Sequence, residues 1–240
     1  MLDAWLDLVH GGRCVGCAAP GRALCQGCVG ELPASARPVR PTPCPPGLAA
    51  CFAGGEYDGL LRAMVLAHKE HAALSLAGPL GRVLSVAVES VLGATSSAPV
   101  VVLVPVPSRP EVVRRRGHDP MLRVTRSAAR ALGRDGHEAL VGRVLVERSV
   151  VADQAGLSSS ERAANLRDTM SVRPAARSAL ARQGRPMAIV VCDDVLTTGA
   201  TAREAQRALE DAGVPVTAIS TVAATRRRLP PPPMVAGVVS

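Results

Sequence analysis

Aromatic side chains are almost missing from this sequence: its 240 residues hold one Trp, one Tyr and one Phe. That scarcity argues against a platform that stacks the bases of a single strand. It also means that the core must be built from Val, Leu, Ala and Ile, for which the 48% hydrophobic content suffices. Lysine is nearly absent too, since Lys69 is the only one and all other Lys-or-Arg positions are arginine. No apolar run approaches the roughly 20 residues of a membrane helix, and Met1 to His10 is broken by Asp3 and Asp7, unlike a signal peptide. The expectation is a cytoplasmic chain without membrane insertion. Neither a dinucleotide fingerprint of the Gly-x-Gly-x-x-Gly kind nor a Gly-Lys-Ser/Thr phosphate loop is found.

What is present is positive charge. The balance of 28 basic and 20 acidic residues gives +8 and a pI near 9.8, a surface that attracts phosphates on nucleotides or nucleic acid. The plainer account is solubility with an arginine-rich codon bias. The length suits one α/β domain with a small appendage. Three regions differ in composition: residues 1–50 hold five of the seven cysteines and a proline-rich stretch, Pro33 to Pro46, read as an extended linker; 51–226 alternate apolar strands with amphipathic helices; 227–240 open with Pro230 to Pro233 and read as a flexible tail. In the middle region the pattern predicts helices over Gly59–Ala67, Leu76–Val91, Asp119–Leu132, Ser158–Leu166 and Ala200–Ala212. It predicts strands over Val100–Val104, Arg143–Val146, Met187–Cys192 and Val214–Ala223. Strands separated by helices imply an α/β fold with a parallel sheet flanked by helices.

The most informative segment runs from Val190 to Thr201. A buried strand is expected to end before two acids, Asp193 and Asp194, followed by a turn of Val195, Leu196, Thr197, Thr198 and Gly199 and a helix opening at Ala200 and Thr201. Amides and hydroxyls at a helix start form an anion site, and Gly199 lets backbone approach a phosphate without a Cβ. Adjacent carboxylates are suitable acceptors for a vicinal diol and can stabilise positive charge on a ribose ring. The plain alternative is two solvated acids and a helix cap. Upstream, Pro105, Val106, Pro107 and Ser108 make a stiff turn at a strand end, and Arg109 with Arg114, Arg115 and Arg116 supplies forked donors for diphosphate oxygens; a solvated basic face is the bland reading.

On these residues the segment resembles the phosphoribosyl-diphosphate motif of type I phosphoribosyltransferases. Further matches, Val104 to Arg109, Arg114 to Asp119, and Gln154 to Ser158 with Arg162, Asn165 and Leu166, resemble the ComF family, also called GntX-like. The chain has His118-Asp119-Pro120 where that family often has Phe-Asn-Gln. The resemblance spans Cys14 to about Ala223. It implies a type I phosphoribosyltransferase-like sheet behind a small N-terminal zinc module. It implies that Asp193 and Asp194 hold the ribose hydroxyls, that Thr197 to Thr201 wrap the 5-phosphate, that the Pro105–Arg109 loop and Arg114–Arg116 take diphosphate, and that Mg²⁺ bridges ligand oxygens. Two functions follow as expectations: transfer of a phosphoribosyl group to or from a nitrogen acceptor, or an accessory role in competence, handling single-stranded DNA or binding DNA-uptake partners.

Cys14-x2-Cys17 and Cys25-x2-Cys28 have the spacing of two metal knuckles, and four thiolates make a closed structural zinc site. A redox dithiol is the alternative. Cys44, Cys51 and Cys192 fall outside the pattern, with Cys192 expected as a small core residue. His68 and His71 are read as surface or helix-end residues flanking Lys69, and His10 as a dispensable further ligand.

Overall fold

Beta-branched residues crowd the stretches that form the middle of the sheet, because they favour extended backbone and leave no polar side-chain atom to satisfy. A computed structural model of the chain describes residues 12–93, 100–148, 168–181 and 185–225. Its elements are α1 (Gln26–Gly30), β1 (Arg37–Val39), β2 (Cys51–Glu56), α2 (Gly59–Glu70), a 3-10 turn Leu74–Leu76, α3 (Ala77–Gly93), β3 (Val100–Pro105), α4 (Pro110–Arg116), α5 (Pro120–Arg134), β4 (Ala139–Val141), β5 (Leu145–Glu147), β6 (Met170–Val172), α6 (Pro174–Ala181), β7 (Met187–Leu196), α7 (Ala200–Asp211) and β8 (Ala218–Ala224).

Six strands form one sheet in the order β1-β2-β8-β7-β3-β4. β1 is antiparallel to β2, and every other neighbour is parallel. β3 is buried at all six positions, as a parallel strand covered on both faces should be. Val101 and Leu103 point to one core, shared with α2, α3 and α5. Val102 and Val104 point to the other, shared with α7 and with the antiparallel hairpin of β5 and β6. The fold is therefore a mixed α/β arrangement, a mostly parallel sheet flanked by helices.

Local chemistry fixes the helices. Asp119 caps α5 by accepting the Leu122 amide at 3.1 Å, with Pro120 in the first turn. Helices α3 and α5 approach so closely that a Cβ on Gly81 would sit 2.4 Å from that of Ser127. The helical stretch Leu74–Gly93 reaches the length of a membrane span with a mean hydropathy of 1.3, yet more than half of it is buried inside the fold. It is the core helix of the α2/α3/α5 face.

The structure departs from the sequence pattern in several places. The proline-rich stretch expected as a linker contributes the edge strand β1, and residues near Pro41, Pro45 and Leu48 lie over Gly199. β7 does not stop at Cys192; it continues through both acids to Leu196, because β8 runs beside it as far as Ala224 and keeps the ladder going. The expected strand over Arg143–Val146 is β5, shifted to Leu145–Glu147, and the strand from Val214 begins only at Ala218. The expected helix Ser158–Leu166 lies outside the described residues.

Candidate functional site

The carboxyl ends of β3 and β7 open onto a cleft of about 590 Å³. Such ends are where open α/β sheets take ligands. Of the residues singled out in the sequence, Asp193, Asp194, Val195, Thr197, Thr201, Val106, Pro107, Ser108, Arg109 and Arg116 line it. It also gathers Tyr57, Lys69, Glu70 and Glu147, which the sequence did not mark as site residues.

Asp193 and Asp194 are strand residues rather than turn residues. Asp193 Oδ1 accepts the amide of Asp194 at 2.8 Å, and Asp194 Oδ2 accepts from Lys69 Nζ at 2.7 Å. Burial first, and the charge of Asp194 second, push the Asp193 carboxyl up to about 7. Burial pulls Lys69 down, but Asp194 and Asp193 outweigh it and hold the ammonium above its ordinary value. One half-buried acid that readily keeps a proton therefore stands next to an acid paired with the only lysine.

Beyond Leu196 the chain bends through the exposed Thr197 and Thr198 into α7. Among the described residues no side chain caps α7 at Gly199, although Thr198 Oγ1 accepts the Ala200 amide at 3.4 Å. The free amides of a helix start remain available to an anion. Gly199 has a structural reason of its own to be glycine. Its φ of +73° is left-handed, and a Cβ there would lie 2.9 Å from Pro41 Cγ and 3.0 Å from Leu48 Cδ2. Glycine is needed by that backbone and by the proline-rich cover, and the face turned to the cleft belongs to Thr197 and Thr201.

The arginines divide. Arg114 to Arg116 were expected in a loop but form the last turn of α4. Helical residues are offset by about 100° each, so the three cannot converge. Arg116 reaches the cleft, with Nη2 at 2.7 Å from both oxygens of Glu70. Arg114 faces away, 3.3 Å from Glu111, and Arg115 is exposed. Arg109 Nε donates to Glu147 Oε1 at 3.2 Å. Both cleft arginines thus rest on acids that an anionic ligand would have to replace. Pro105 ends β3 as a buried strand residue, while Leu196 is buried in the α7 core.

His68 stands in the last turn of α2, the helix end expected of it, but is interior rather than at the surface. It is 2% exposed within α2, with Nδ1 3.1 Å from the Ala73 carbonyl and Nε2 3.4 Å from that of Pro120. Burial lowers its pKa. The stripe Leu61, Met64, Val65, His68 carries the helical period that reveals this, and it was cut short by ending the helix at Ala67. His71 is the exposed cap expected of it.

At the other end of the chain, Cys14, Cys17, Cys25 and Cys28 bring their sulfurs within 4.8 Å of one another. Tetrahedral zinc with sulfurs at about 2.3 Å requires sulfurs about 3.8 Å apart, and Cys17 and Cys25 stand at 3.6 Å. The amide of Cys25 points to Cys14 Sγ at 3.4 Å, and that of Cys28 to Cys25 Sγ at 3.5 Å. Burial would raise the Cys14 thiol, but the amides of Cys17, Cys25 and Gly16 bring it down to about 6. The donor set fits a closed structural zinc site. Cys192 is a fully buried core thiol, as expected. No family model and no curated protein matches the chain.

Proposed function

We propose that the chain is a phosphoribosyltransferase-like protein of the ComF type, which binds phosphoribosyl diphosphate in the cleft between β3 and β7 and transfers the phosphoribosyl group to, or removes it from, a nitrogen acceptor. One observation carries this reading: two adjacent acids, two threonines, two arginines and a lysine converge on a single cleft at the carboxyl edge of a parallel sheet. The motif resemblance supports it, and a mostly parallel sheet flanked by helices is compatible with it.

In this reading the ribose 2- and 3-hydroxyls donate to Asp193 and Asp194. The 5-phosphate takes the amides and hydroxyls of the Thr197–Thr201 bend. Arg109 and Arg116 exchange Glu147 and Glu70 for diphosphate oxygens, and Lys69 turns from Asp194 toward the same charge. The acceptor nitrogen attacks the anomeric carbon, the bond from that carbon to the diphosphate oxygen breaks, and diphosphate leaves with the electron pair. The bond to diphosphate breaks ahead of bond formation to nitrogen, and the ionised acids of the pair stabilise the positive charge that develops on the ribose as it does so. Mg²⁺ would supply charge neutralisation on ribose and diphosphate oxygens, a role that suits a site of carboxylates and ligand oxygens.

The test is thermal unfolding. Phosphoribosyl diphosphate with Mg²⁺ at 100 times its Kd should stabilise the chain by about 2.7 kcal/mol. Asp193→Asn combined with Asp194→Asn should remove the shift. No shift for the native chain at saturating ligand overturns the reading and leaves the accessory role with single-stranded DNA as the better one.

A further inference from the structure

A second cavity, about 380 Å³, adjoins the cleft. It lies between the turn after β3, helix α4 and the β5–β6 hairpin. Pro107, Ser108 and Glu147 line both spaces and so form the wall between them. Its outer part carries three arginines, Arg114, Arg143 and Arg173. Among the described residues neither Arg143 nor Arg173 forms an ion pair, and Arg114 meets only the exposed Glu111 at 3.3 Å. Of the two acids on the lining, Asp119 is committed to capping α5. The other is Glu147, whose side chain is 15% exposed. Its Oε1 accepts from Arg109, and its Oε2 is buried with no hydrogen-bond partner among the described residues. A buried carboxylate oxygen left unpaired is costly, and it calls for a donor. Leu122, Leu145 and Val146 supply apolar wall.

The cavity therefore offers three chemistries in one small space: guanidinium groups for an anion, apolar side chains for a ring, and one buried acceptor for an N–H on the side of the ribose cleft. We propose that this cavity is the acceptor subsite, that its ligand is a small planar amine or ring nitrogen compound bearing a carboxylate or phosphate, and that Glu147 receives the proton of the attacking nitrogen. The inference rests on the phosphoribosyl-transfer reading of the adjoining cleft. In the step, the nitrogen lone pair forms the bond to the anomeric carbon, the bond from that carbon to diphosphate breaks, and the N–H proton passes to Glu147 Oε2. Arg143 and Arg173 hold the acid group, and Glu147 is freed to accept the proton once Arg109 turns from it to the diphosphate.

Three probes separate these contributions on the full chain by ligand-observed NMR titration near neutral pH: 4-aminobenzoate, benzoate without the amine, and aniline without the acid. 4-Aminobenzoate should bind at least about ten-fold more tightly than aniline, the equivalent of about 1.4 kcal/mol for the charged contacts. The double variant Arg143→Ala, Arg173→Ala should erase that advantage, and excess inorganic phosphate should compete with 4-aminobenzoate but not with aniline. Glu147→Gln should bring 4-aminobenzoate to the affinity of benzoate. Equal affinities for the three probes, or advantages that survive these substitutions, overturn the proposal. The two arginines are exposed, so the double variant should keep its fold, and it should keep the thermal shift with phosphoribosyl diphosphate and Mg²⁺. If that shift is missing in the native chain while the probes still discriminate, the transfer chemistry falls and the anion-binding cavity stands.

Discussion

Asp193 is held near 7 by burial and by the adjoining Asp194, whereas an ordinary aspartate titrates at 3.8. The folded chain thus keeps a proton that the unfolded chain gives up. A raised folded value means stability that is present below the unfolded pKa and lost as pH climbs toward the folded one. Between about pH 4 and 7 this group should pull stability down, and Asp193→Asn, neutral throughout, removes that loss. The variant should match the native chain near pH 4 and exceed it by a gap that widens to a few kcal/mol by pH 8, each roughly 2–4 °C in Tm. Parallel melting curves across this range check it, and a constant gap would contradict the account. The acids, Thr197, Thr201 and Arg109 were legible from the sequence because their chemistry is written in contiguous residues. Lys69 and Glu147 were not. Lys69 meets Asp194 across 125 residues and Glu147 meets Arg109 across 38, and nothing local to either marks a partner that only the fold supplies. At Gly199 the sequence shows that a Cβ is disfavoured, but not that Pro41 and Leu48 are the neighbours it would meet.

Elements with a strong period were found and those held only by partners were not. α2, α3, α5, β3 and α7 follow from apolar spacing and caps, whereas the three-residue strands β1, β4 and β6 exist because a neighbour offers a ladder. The length of β7 likewise belongs to β8. The hairpin of β5 and β6 has another such dependence. Glu204 of α7, 4% exposed, accepts the Met170 amide at 3.0 Å and Arg207 Nη2 at 2.7 Å, while the same Nη2 donates to the Met170 carbonyl at 3.0 Å. Burial would raise this carboxyl, but Arg207 and the Met170 amide hold it below its ordinary value. Glu204→Ala leaves the buried Met170 amide without its acceptor and removes one of the acids on Arg207, which keeps Asp168 and Asp211, so about 1–3 kcal/mol is expected. Because the hairpin carries Glu147 into the cleft, Glu204→Ala should also raise amide exchange of β5 and β6 selectively. Unchanged exchange there would show that the hairpin is held by its apolar contacts alone.

The cysteine arm, expected as a separate module, shares a core with the sheet domain. Cys14, Leu24 and Cys28 are buried in the same cluster as Leu61 and Met64 of α2, and a Cβ on Gly16 would come within 2.7 Å of Leu60 Cδ1 and 2.8 Å of Cys28 Sγ. α2 in turn carries Lys69 to Asp194. Two small units with little shared surface would unfold in separate steps, whereas units with a common core melt together. A metal that binds only the folded arm then stabilises the whole chain by mass action, and its removal should be felt at the cleft. Metal analysis should give about one zinc per chain. Cys17 is the exposed member of the set, so Cys17→Ser deletes a ligand without opening a hole in the core. That variant, and the native chain treated with a chelator, should each melt in one transition lowered by roughly 4–8 °C, the equivalent of about 2 kcal/mol. On the proposed function, both should also show a smaller thermal shift with phosphoribosyl diphosphate and Mg²⁺, as α2 loosens its hold on Lys69. A low first transition followed by an unshifted second one would mean that the arm folds on its own and that the cleft owes the metal nothing.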